Sequence, residues 1–169
     1  MPRSSALRVA ARADPRPQPP IRPFADSLPM ALLKAREAVM RRFRPGLRAH
    51  AVTEQQWRVL RALSALGPLE ITELATRTCL LPPSLSRLLP ALESRGLLVR
   101  RGVASDMRRT VVSVTAAGLE LIEAHAPHSE RIYRAIEERF GAERLRQLYR
   151  LLGELETALG PQTRGSAER

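Results

Sequence analysis

The chain has 169 residues, which suits one domain with helical extensions and a core that needs no covalent staples. Its 28 Lys and Arg against 17 Asp and Glu give +11, a balance that points to a polyanionic partner. The single Cys79 excludes an internal disulfide and fits a reducing, cytoplasmic setting, and no apolar run of about 18 residues is there to cross a membrane.

The excess charge is local. Residues 1–22 hold five Arg and one Asp, residues 71–115 hold seven Arg and three acids, and residues 116–160 hold six Arg and eight acids. Because 27 of the 28 basic residues are Arg, a lone arginine carries little weight and only clusters count. Residues 1–22, with four prolines between 15 and 20, read as a disordered tail rather than a targeting segment, and residues 161–169 read as a second tail.

Helical spacing of Leu28, Leu32, Val39 and Phe43 predicts a first helix over 28–44, stopped at "PGL". Thr53 with Gln56 three residues on has the form of a capping box, and Trp57, Leu60, Leu63 and Leu66 make the stripe of a second helix that ends at Gly67. Ile71 to Thr78 predicts a short helix with Leu74 and Ala75 inward, and "CLLPP" a tight turn. Pro82 or Pro83 then opens a further helix that runs to about Arg95 and is capped by Gly96. Pro90 inside that helix costs up to ~3 kcal/mol unless something relieves it.

"LLVRR" and "TVVSVT" read as a two-stranded hairpin with "GVASDMRR" as a long tip. Thr115 caps the next helix, with apolar Ile122, Ala126, Tyr133, Ile136 and Phe140 and a bend or break expected at Pro127. A last helix from about Ala142 to Leu159 aligns Leu145, Leu148, Leu152, Leu155 and Leu159. The fold class is thus mainly α with a small β-hairpin wing: a winged helix-turn-helix flanked by N- and C-terminal helices.

Arg100, Arg101, Arg108 and Arg109 beside the hairpin tip suit a phosphate backbone or a narrow minor groove, and Asp106 is placed to hold the Arg108 guanidinium in one orientation. Taken alone, such a cluster is better explained by a solvated turn. The start of the second helix of the pair, "PPSLSR", decides for nucleic acid. Ser84, Ser86 and Arg87 are groups that grip phosphates and base edges, while Leu85, Leu88, Leu89 and Leu92 pack on the domain.

These residues resemble the MarR family of regulators. "DMRRTVVSVTAAG" is similar to the family's wing, and "VTEQQWRVLRAL", "ITELA" and "LSRLLPALESRGLLVR" follow the order of its helices over residues 22 to 160. "RPFADSLPMALLKAREAVM" with "CLLPPSLSR" is most similar to the branch that represses homoprotocatechuate (hydroxyphenylacetate) degradation operons. The resemblance implies a domain over 23–160, with a DNA-binding core at 53–115 and dimerisation helices at 23–48 and 116–160. It also implies a homodimer on a palindromic operator, repression of an aromatic-catabolism promoter, and release by a small phenolic acid. DNA-contact candidates are Ser84, Ser86, Arg87, Arg101, Asp106, Arg108 and Arg109.

Arg36 lies on the otherwise apolar stripe of the first helix, where it either meets the carboxylate of an effector or pairs with a protein carboxylate or solvent. Ser27, Met30 and Trp57 are the further ligand-site candidates. His125 and His128 lack the company of a metal set, and Cys79 reads as a small buried filler. No cofactor, metal or catalytic constellation is expected. A winged-helix protein–protein module and a zinc- or thiol-dependent sensor are the alternative readings.

Overall fold

The structure, a computed structural model, describes residues 23–103 and 106–160. Both expected tails, 1–22 and 161–169, lie outside the described residues. Two compact units divide the chain, one reaching to Ala38 and the other starting at Val39.

Among the described residues six helices and three strands follow in the order α1 (Leu28–Ala49), α2 (Glu54–Leu66), β1 (Leu69–Glu70), α3 (Ile71–Thr78), α4 (Pro82–Ser94), β2 (Leu98–Val103), β3 (Asp106–Val114), α5 (Ala116–Phe140) and α6 (Ala142–Leu159). A 3-10 turn at Phe24–Asp26 precedes α1, and Lys34 sits 5.8 Å from the Phe24 ring centroid. None of these helices is long and apolar enough to cross a membrane.

The core belongs to the second unit. It joins Val59, Leu60 and Leu63 of α2 to Leu74 and Ala75 of α3, to Leu85, Leu88, Leu89 and Leu92 of α4, and to Leu98 and Val112 of the sheet. The capping box forms as expected: Gln56 N–H donates to Thr53 Oγ1 at 3.2 Å and Thr53 N–H to Gln56 Oε1 at 2.9 Å. Leu66, however, is 52 % exposed, and Val59 takes the inward place in its stead.

The sheet is antiparallel with order β1-β3-β2. β1 is too short to show as an alternating run, so only pairing of Leu69 with Val112 and Glu70 with Val111 defines it. The expected long tip is mostly strand. β2 and β3 pair from Leu98↔Val114 to Gly102↔Thr110, and then Val103↔Asp106 after a break in register. Residues 107–109 therefore bulge on β3.

Three prolines sit inside helices without ending them: Pro45 in α1, Pro90 in α4 and Pro127 in α5. The stop expected at "PGL" and the break expected at Pro127 do not occur. Each proline is exposed, and so are Arg41, Ser86 and Glu123, the residues four positions earlier whose carbonyls lose a donor. Water can satisfy those carbonyls. In α4, burying four leucines is worth roughly 1.5–3 kcal/mol each, which outweighs the ~3 kcal/mol of one proline.

Thr115 joins the sheet to α5. Its Oγ1 accepts from Gly118 N–H at 3.1 Å and donates to the Gly96 carbonyl at 2.6 Å. A Cβ on Gly118 would lie 2.3 Å from the Leu97 carbonyl oxygen, so the Thr-x-x-Gly spacing is a packing requirement. Along α5, Ala126 is exposed and His125 and Ile132 are buried instead, while Tyr133 and Phe140 are exposed.

Candidate nucleic-acid interface

The geometry of the α3–α4 turn sets which face of α4 points outward. α3 ends in a left-handed residue, Cys79 (φ +50°), and Leu80 N–H reaches back to the Ala75 carbonyl at 3.0 Å. Cys79 is exposed, which corrects its expected place as a buried filler: the turn turns its side chain to solvent. Thr78 is buried below it, donating to the Leu74 carbonyl at 2.5 Å, and Arg58 of α2 donates to the Thr78 carbonyl at 2.8 Å. α2 thereby fixes the turn through the free carbonyl end of α3.

α4 starts without a side-chain cap, but Pro82 and Pro83 bring no N–H to satisfy. Ser86 Oγ donates to the Pro82 carbonyl at 3.1 Å. With Leu85, Leu88, Leu89 and Leu92 inward, Ser86 and Arg87 are exposed and Ser84 is half-buried. Arg87 has no ion pair among the described residues, so its guanidinium is available to a partner.

Two carboxylates that local spacing did not single out organise the wing. Glu93, near the end of α4, accepts from Arg100 Nε at 2.8 Å, from Arg100 Nη2 at 2.6 Å and from the Arg100 backbone N–H at 3.1 Å. Glu70 accepts from Arg109 Nε at 3.1 Å and from Arg109 Nη2. Hydrogen bonds from Arg100 hold the Glu93 carboxyl below its ordinary range, and those from Arg109 do the same for Glu70. The Glu70 carboxylate in turn raises Arg109.

Arg109 was expected at DNA, and the structure places it on Glu70. The two are diagonal neighbours across β1 and β3, because Glu70 pairs with Val111 and Arg109 lies two residues before it. That pairing has no signature in the sequence, since it spans 39 positions. Arg101 is exposed on β2. The side chains of Asp106 and Arg108 lie outside the described residues, and with them the expected contact between the two.

The ligand-site candidates fall in both units. In the first, Met30 and Ser27 are half-buried, and Arg36 is exposed and bonded to Glu37 at 2.9 Å. Leu32, beside it on the predicted stripe, is 40 % exposed. In the second, Trp57 packs edge-on against His125, ring centroids 4.6 Å apart. Among the described residues no three His, Cys, Asp or Glu side chains stand where one metal ion could take them.

A serine- and arginine-edged helix anchored by leucines, next to a carboxylate-braced basic wing, defines a winged helix-turn-helix of the kind that lies in a DNA major groove. The MarR family model matches residues 52–110, the stretch from the start of α2 to β3. The chain is 43% identical over 135 residues to the homoprotocatechuate degradative operon repressor of Escherichia coli, covering 80% of this chain and 90% of that one. This chain belongs to the MarR family.

Two solved structures extend the likeness. NadR in complex with 4-hydroxyphenylacetate superposes with a TM-score of 0.70 at 40% identity, over 80% of this chain and 96% of that one. The transcriptional repressor CouR, bound to a 23-mer DNA duplex, gives 0.71 at 28% identity over 78% and 93%.

Proposed function

We propose that this chain is a dimeric transcriptional repressor that occupies a palindromic operator until a small phenolic acid releases it. The carrying observation is the outward edge of α4, where Ser84, Ser86 and Arg87 are presented by four buried leucines beside the basic wing. Residues 53–115 read DNA, and residues 23–48 and 116–160 hold two copies together so that two α4 helices enter successive major grooves. Arg87 takes base edges, Ser84 and Ser86 take bases or phosphates, and Arg101, Arg108 and Arg109 follow the backbone and minor groove. Asp106 aims Arg108.

The operator DNA places the protein in the cytoplasm. The effector reading is supported by the relatives: one represses a homoprotocatechuate degradative operon and one was solved with 4-hydroxyphenylacetate. Arg36 gives that acid its anchor, the ligand carboxylate replacing Glu37 on the guanidinium; Ser27 and Met30 are further candidates in the same unit, and Trp57 is a separate candidate in the second. A docking role for the wing on an acidic protein is disfavoured by the same relatives, one of them solved on DNA.

The test begins with genomic fragments selected on the protein, followed by titration of the chosen operator at fixed salt with and without hydroxyphenylacetic acids. Sequence-selective retention, lost on adding the acid but held with the matching phenylethanol, is the expected result. Arg36→Ala is expected to keep operator affinity and lose about tenfold or more in response to the acid, the worth of one charge-assisted hydrogen bond. Equal retention of random and selected DNA would remove the repressor reading, and equal response to acid and alcohol would move the effector away from Arg36.

A further inference from the structure

Three histidines meet where α1, α2 and α5 come together in the second unit. His125 of α5 is fully buried. Its ring lies edge-on to the Trp57 indole and to His50 just after α1, at centroid distances of 4.6 and 5.3 Å, and 5.4 Å from His128. Gly46 of α1 makes the room, since a Cβ there would stand 2.3 Å from His128 Cδ2 and 2.7 Å from His125 Cε1.

This centre is not satisfied. Both ring nitrogens of His125 and Nε2 of His128 are buried with no hydrogen-bond partner. Buried polar groups are nearly always paired, so three unpaired nitrogens in one place call for a reason. The nearest carboxylate on the packed elements, Glu54 at the start of α2, is taken by Arg44 of α1. Arg131 Nη2 is 3.5 Å from His128 Nδ1, and Arg95, which caps α4, donates to the His50 and Ala51 carbonyls at 3.1 and 2.6 Å. No carboxylate among the described residues bonds to any of the three rings. A proton that arrives on His125 meets two more imidazoles and, beyond His128, the Arg131 guanidinium. A metal ion is the poorer occupant, because the side chains do not converge on one point.

We propose that the His50–His125–His128 cluster is a proton-operated release: neutral rings pack α5 against α1 and α2, and protonation loosens that packing and lowers operator affinity. Burial holds the His125 imidazole below the ordinary histidine range, and His50 and His128 push in the same direction. The open or unfolded form therefore takes up protons first. The closed form has its full stability above the ordinary histidine value, near 6.5, and loses it as pH falls below that value toward the depressed one. The proposal rests on the DNA-binding reading only for its functional consequence, and the packing change is measurable without DNA.

The experiment uses the full chain. Melting temperature without DNA and operator affinity at fixed ionic strength are each followed from pH 7.5 to 5.5, for the parent and for His125→Leu. The parent is expected to melt lower and to bind about tenfold more weakly at the acid end, and the variant to show little of either trend. Imidazole NMR of the parent covers a variant that folds poorly. The sequence has three histidines, and His50→Gln and His128→Gln assign two of the signals. The remaining ring is expected to titrate below the ordinary range, over the same interval in which the melting temperature falls. Three ordinary titrations, a flat melting profile in the parent, or an unchanged pH response in a folded His125→Leu would overturn the proposal. Absence of operator binding at every pH would fail the repressor reading alone, and the melting and NMR arms would still decide the switch.

Discussion

α4 and α6 carry the same kind of leucine stripe and end in opposite states. Leu85, Leu88, Leu89 and Leu92 of α4 are all buried, whereas α6 buries no residue at all and leaves Leu148, Leu151, Leu152 and Leu159 exposed. The periodicity is equally good in both. The difference is the neighbour: α4 lies on α2, α3 and the sheet, while among the described residues α6 meets α5 along one edge, half-burying Leu145 and Leu155, and the rest of its stripe is uncovered. Contiguous exposed apolar surface of that sort marks an association site, and a second copy of the chain is what the repressor reading puts there.

Breaking the uncovered side is expected to give the largest effect. Leu148→Glu with Leu152→Glu should sediment as a monomer and lose about 100-fold or more in operator affinity, because two linked half-sites bind by avidity. Its melting should stay cooperative, since the core around α4 is untouched. A dimeric double variant would contradict the assignment of α6.

On the covered side, Leu89→Ala should cost about 2–5 kcal/mol in denaturant-monitored stability, through lost burial and a cavity. The dimer contact is predicted to survive at temperatures where the variant remains folded. A loss under 1 kcal/mol, the range of a surface site, would mean that α4 is held by something other than its leucines.

Smaller effects sharpen the outward face. Arg87→Ala should lose about 1–3 kcal/mol on the selected operator and much less on random DNA, and equal losses on both would make Arg87 a backbone clamp. At the wing, Arg108→Ala should weaken binding uniformly and reduce the salt slope by about one. Asp106→Ala should weaken binding as well, although it removes a negative charge, and tighter binding would dispose of its aiming role. The carboxylates Glu70 and Glu93 add a modest acid dependence: their lowered values mean wing bracing that is complete above the ordinary carboxylate range and lost as pH falls through the depressed one.

The sequence by itself determined the helices and most of their ends, because those depend on neighbours a few residues away. Thr53 and Gln56 close their capping box, Ile71–Thr78 is the predicted short helix, Thr115 caps α5, and α6 has its predicted bounds. It also gave the inward leucines of α4, since one face of a helix repeats with a fixed period.

Only the tertiary structure decided what long-range contacts control. β1 exists because Leu69 and Glu70 meet β3, Arg109 bonds to Glu70 across that pairing, and the interior prolines are tolerated because their orphaned carbonyls belong to exposed residues. The histidine centre belongs to the same class. His125 and His128 were visible as a pair three residues apart, but the partners that give them meaning, His50, Gly46 and Trp57, are brought in by the packing of α1 and α2 on α5. No local pattern encodes such a meeting, because burial and charge balance at one point depend on every element that reaches it.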